Sequence, residues 1–204
     1  MITLIYLYLL GVIIYPFTML IKRLNYILLK KTIRIIVFGI GIIIGFKFDY
    51  SYLIIEIRET RCMVIILAFL IGIACAYLSI VMVNNFQIIN INIHTKNIGL
   101  IKNISIISII FMIFACIYEE IIWRGTIQNY FVNKFENLSV IFILAFLFML
   151  SHFKNRFRYV ELLDIGIFSL IISWLYYFSG NLLFVIVIHF SRNLAIELFD
   201  LLKE

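Results

Sequence analysis

Two adjacent acids, Glu119 and Glu120, close an apolar run, 104–117, that holds no charged residue, and Arg124 follows the second acid by four positions. Farther on, His152 follows Phe148 by four and His189 precedes Asn193 by four, again in apolar surroundings. Carboxylates and imidazoles are the side chains that move protons to and from reacting groups. A Glu–Arg pair or a lone membrane histidine can also be purely structural, hydrogen-bonding a neighbouring helix. Taken together, Glu119, His152, His189 and Asn193 point further, because ionisable groups placed in hydrocarbon mark functional sites. Each charge at mid-bilayer costs roughly 2.5–3.5 kcal/mol, so something must offset or use it.

The elements that would carry these residues are membrane helices. The chain has 204 residues, of which 65% are hydrophobic and 14% charged, with a mean hydropathy of +1.13. That is far more apolar than an ordinary soluble domain. The expectation is an all-α, polytopic transmembrane bundle of about six to eight helices. Apolar runs fall at 2–21, 35–46, 62–83, 104–130, 138–152, 162–178 and 182–199. The run at 35–46 is short enough to be re-entrant, and alternating Ile and Asn within 84–103 suits a short strand or an interfacial segment. The first run lacks a basic leader and a small-residue cleavage site, so it reads as a span and not as a removed signal peptide.

A net charge of +6 does not imply nucleic acid here. The basic residues collect in the loops 22–34, 84–103 and 154–158, which the positive-inside bias places in the cytoplasm, with the C-terminus on the same side. The three cysteines, Cys62, Cys75 and Cys116, read as small packing residues and not as a disulfide or metal set. His94 lies in a polar loop and reads as surface, and Asp164 stands alone near an interface.

Helix geometry sorts the acids. Glu120 and Arg124 share a face with the acid nearer the N-terminus, the favourable order for a pair. Glu119 is turned about 100° away and is left for chemistry. In the hairpin of 104–130 and 138–152, turning near 135, Glu119 and His152 are almost equally far from the turn, so equal rise puts them at one depth. His189, about nine residues past a turn at Gly180, would lie roughly 10 Å nearer the outer surface in straight helices.

The pattern Glu119-Glu120-x-x-x-Arg124-Gly125, then Phe148-x-x-x-His152, then His189-x-x-x-Asn193, resembles the CAAX-protease and bacteriocin-processing (CPBP, or Abi) family of intramembrane proteases, which includes the type II CAAX prenyl endopeptidases. The likeness covers roughly the second half of the chain, so 104–204 reads as a catalytic core and 1–103 as N-terminal membrane helices without a motif. It implies peptide-bond hydrolysis in the membrane: Glu119 with His152 activates water, His189 and Asn193 stabilise the oxyanion, and Glu120 and Arg124 support them. Two chemistries suit this set, one metal-free and one using a divalent metal such as zinc, with Glu119, His152 and His189 as candidate ligands. No His-Glu-x-x-His is present, so a zincin-type site is not expected.

The substrate expected is a peptide or protein tail beside the bilayer of a bacterial cell membrane. Such proteins are associated with bacteriocin self-immunity or the maturation of secreted peptides, so a peptide-export or bacteriocin system is the expected neighbour. The competing reading is a non-catalytic immunity or peptide-binding membrane protein of the same fold. A proton-coupled transporter is a third reading, although no inverted repeat with broken helices supports it.

Overall fold

The computed structural model describes residues 2–20, 36–37, 39–41, 43–44, 60–89, 106–153 and 159–202. Among these residues the structure is helical, with short turns and no strand. Helix α1 spans Ile2–Leu20 and α2 spans Cys62–Ile89. A continuous rod follows, built of α3 (Ile106–Glu120), a π-helical segment (Ile121–Gln128) and α4 (Asn129–Phe135). The remaining helices are α5 (Ser139–Ser151), α6 (Tyr159–Ser179) and α7 (Leu182–Leu202). Residues 84–89 continue α2; the rest of 84–103, with His94, and the loops 22–34 and 154–158 lie outside the described residues. Of 35–46, the described positions are helical.

Four stretches are long and apolar enough to cross a bilayer: Cys62–Asn85, Ile106–Phe135, Tyr159–Ser179 and Leu182–Asp200. Shorter apolar helices run over Ile2–Ile14 and Ser139–Ser151. Met63, Leu70 and Tyr77 on α2, and Ile106, Phe111 and Phe114 on α3, are well exposed. An outer surface of large apolar side chains suits hydrocarbon and not water. The chain is an all-α membrane protein.

The turns are made by local hydrogen bonding. Glu136 adopts φ 48°, and its N–H donates to the Val132 carbonyl at 2.9 Å, ending the rod. Asn137 Oδ1 then accepts the Ser139 N–H at 2.8 Å and starts α5. Gly180 has φ 61°, a left-handed conformation that costs least without a Cβ. Its neighbour Asn181 caps α7, Oδ1 accepting the Phe184 N–H at 2.8 Å.

Two apolar cores flank the rod. One gathers Ile5, Tyr8, Leu9 and Val12 of α1 with Leu144 and Phe148 of α5; the other gathers Ala68 and Cys75 of α2 with residues of α6 and α7. The π segment belongs to both, since Ile122, Trp123 and Ile127 enter the first core and Ile121 the second. All eight of its residues are therefore buried. Between α2 and α7 the backbones approach at Gly72, where an added Cβ would overlap Ser191 Oγ and stand 2.5 Å from the Ile188 carbonyl. Small residues at such crossings let membrane helices gain close packing, which must drive association where lipid is as apolar as protein.

Candidate functional site

Glu119 and Glu120 end α3, and the backbone changes register immediately after them. The π turn admits one extra residue per turn, and Thr126 Oγ1 donates to the Ile121 carbonyl five residues back at 3.0 Å, matching that spacing. Such segments occur frequently at functional sites. Two polar contacts one turn apart pin this segment to α6. Arg124 Nη2 donates to Ser169 Oγ at 2.9 Å and to its carbonyl at 3.3 Å, and Gln128 Nε2 donates to the Ser173 carbonyl at 2.8 Å.

Glu120 is fully buried, and its Oε1 accepts from Arg124 Nη1 at 3.2 Å. The sequence-based pairing of Glu120 with Arg124 is thus present, but it is incomplete. The same oxygen also faces His189 Nδ1 at 2.6 Å, while Oε2 is buried and unpartnered among the described residues. The Arg124 guanidinium lies over the Phe148 ring at 4.5 Å, and the His152 ring lies 4.5 Å from that same ring. Phe148 therefore touches both a cation and an imidazole.

Glu119 stands in a different setting. Its side chain is 29% exposed, as is that of His152. His152 Nε2 lies 3.7 Å from Oε1, and His189 Nε2 lies 3.9 Å from Oε2. Equal depth of Glu119 and His152, expected from the hairpin, is what the contacts give. His189 is not displaced towards the outer surface; it touches both acids. A π turn fits more residues into each unit of length, so Glu120 lies nearer the turn at Glu136 than a straight α-helix allows. That shortening removes part of the depth difference between the acids and His189.

Each imidazole is held through Nδ1, which leaves Nε2 towards Glu119. His152 Nδ1 lies 3.0 Å from the Phe148 carbonyl, which can only accept, so Nδ1 carries the proton in that contact. His189 Nδ1 is held by the Glu120 carboxylate. Separations of 3.7 and 3.9 Å exceed a direct hydrogen bond. As for zinc, no group of three or more His, Cys, Asp or Glu among the described residues converges as a metal site.

Asn193 lies one turn beyond His189 on α7 and meets α3 at Cys116, with Nδ2 3.7 Å from Sγ. Cys116–Asn193 and Glu120–His189 are successive rungs between antiparallel helices. Of the expected residues, Glu119, His152 and His189 converge directly, and Asn193 borders them through Cys116.

Sequence reasoning missed a second polar cluster beside the first. Asp164 does not stand alone: it is ion-paired with Arg192 Nη2, and its Oδ1 accepts from Ser79 Oγ at 2.6 Å. Arg192 is almost fully buried, with Nη2 also 3.1 Å from Ser79 Oγ. The available signal was a charge inside the apolar run 182–199, between the two motif positions His189 and Asn193.

No curated protein and no solved structure matches the chain significantly. Residues 102–195 match the family described as type II CAAX prenyl endopeptidase Rce1-like. That stretch contains both acids, both histidines, Asn193 and the whole π segment. Over residues 102–195, then, the chain is similar to the Rce1-like type II CAAX prenyl endopeptidases, in agreement with the resemblance carried by its three motifs.

Proposed function

We propose that this protein is an intramembrane endopeptidase in which 104–204 is the catalytic core and 1–103 supplies supporting membrane helices. The observation that carries this reading is the convergence of two imidazole Nε2 atoms on the two oxygens of one accessible glutamate, Glu119. Glu119, with His152 on the same water, takes a proton as the water oxygen attacks the scissile carbonyl carbon. Electrons of the C=O bond move to oxygen, and this oxyanion receives hydrogen bonds from the Nε2–H of a doubly protonated His189, whose Nδ1–H the Glu120 carboxylate accepts, and from the Asn193 amide. Collapse breaks the C–N bond, and the proton held by Glu119 passes to the departing amine. Glu120 and Arg124 hold His189 and the π segment in place.

The substrate is a peptide or protein tail beside a bacterial cell membrane, and the protein's own C-terminus is cytoplasmic. Bacteriocin self-immunity or secreted-peptide maturation is the cellular role this reading favours. The test is cleavage of a peptide library by the purified protein in liposomes. Glu119→Ala should lower turnover by roughly 10²–10⁴-fold, the usual worth of a general base, with the protein still folded. Undiminished cleavage by that variant defeats the reading. Full protection of cells against the cognate peptide by a Glu119→Gln, His152→Ala variant would instead establish a peptide-holding immunity protein.

A further inference from the structure

We infer that Arg192 is a positioning residue that fixes which end of the Asn193 amide faces the reaction; this rests on the endopeptidase reading above. An asparagine side chain presents a carbonyl oxygen at one end and two N–H donors at the other, and a half-turn exchanges them. Only the donor end can stabilise an oxyanion. Arg192 Nη1 donates to Asn193 Oδ1 at 3.3 Å, and a guanidinium has no acceptor with which to meet the opposite orientation. Nδ2 is thereby turned to Cys116 Sγ at 3.7 Å. Thioether and thiol sulfurs are weak acceptors, so these donors are released to a stronger acceptor at little cost.

Adjacent residues on a helix do not ordinarily face each other, so the guanidinium must be held back over its neighbour. Three groups hold it. Asp164 on α6 takes Nη2 in an ion pair, Ser79 on α2 joins the same nitrogen at 3.1 Å, and the Phe168 ring lies flat beneath it, 4.3 Å from the guanidinium carbon. Phe168 also meets the His189 ring edge-on at 5.4 Å, so one α6 side chain braces both His189 and the arginine that holds Asn193. Asp164 balances the arginine, so this device adds a directed donor without adding net charge.

The experiment uses the full-length protein in liposomes. Arg192→Met should lower kcat about tenfold to hundredfold with KM unchanged, and Arg192→Lys should recover part of the loss. Because Arg192→Met leaves Asp164 buried without its partner, Arg192→Met combined with Asp164→Leu serves as a second variant that removes both charges. In an Asn193→Ala background either change should cost less than about twofold, since the residue they act through is gone. An equal loss in both backgrounds overturns the inference. A separate readout is the side-chain amide resonance of Asn193 in protein labelled with [15N]asparagine, assigned by its absence in Asn193→Ala. It should be sharp in the parent and exchange-broadened in both Arg192 variants. An unchanged resonance overturns the inference whatever the turnover. Failure of the endopeptidase reading would show differently, as full turnover by Glu119→Ala, and the amide resonance would still decide the role of Arg192.

Discussion

Glu119 sits partly exposed between two histidines at 3.7 and 3.9 Å, whereas Glu120, one residue on, is fully enclosed with Arg124 and His189 against it. The open half of the site is reachable by water, since Glu119 and His152 are partly exposed. The closed half has direct contacts, a cation over an aromatic ring and two anchors to α6. In the proposed mechanism, this contrast separates chemistry from support within a single dipeptide. Groups that must exchange protons with water are kept loose and reachable. Groups that only aim the others are dehydrated, where each hydrogen bond is electrostatically stronger.

The comparison can be broken at either half. The largest effect should come from Glu119→Ala, with loss of turnover as given above but a melting curve in detergent close to the parent's. Glu120→Leu should do the reverse in kind, leaving Arg124 buried without its acid. Removing one partner of a buried ion pair costs about 3–5 kcal/mol, to be read from denaturant-induced unfolding in detergent. If Glu120→Leu is as stable as the parent, the closed half is not a support. Gly72→Ala tests the α2–α7 crossing that carries His189 and Asn193. Its Cβ would meet Ser191 Oγ and the Ile188 carbonyl, and overpacking of this kind costs about 1–3 kcal/mol. The smallest effect is expected for Ser169→Ala, which removes one acceptor of Arg124 but leaves the Ser169 carbonyl, about 0.5–1.5 kcal/mol. A larger loss there would mean that the α6 anchor, and not Glu120, is the main hold on Arg124.

Much of this arrangement was legible in residue order. The apolar runs, the turns near 135 and 180, the Glu120–Arg124 pair and the matching depth of Glu119 and His152 follow from helical spacing alone. The π segment was not legible, because Ile121–Gln128 carries no residue that forces a wider turn. Its register is set by what packs on both sides, namely α1 and α5 on one and α2, α6 and α7 on the other. A uniform rise along the rod also misplaces His189 by part of its depth, for the same reason. The Arg192–Asp164 pair joins residues 28 positions apart, and no spacing rule reaches across two helices. A charge in the middle of an apolar helix announces that it needs a partner, but not which one.

The π segment also has a consequence for how this region can tolerate change in length. Its two ends are tied to different neighbours: Glu119 and Glu120 to the histidines, and Arg124 and Gln128 to Ser169 and Ser173 on α6. Deleting one residue between Ile121 and Trp123 would let the backbone relax to an ordinary α-helix. The rod would stay long and apolar enough to cross the bilayer, and because the widened turn already holds an extra residue, its loss would leave the acids close to their present phase relative to α6. The same loss within the α-helical stretch Asn129–Phe135 has no widened turn to absorb it and would rotate every residue before it by about 100° relative to the turn at Glu136.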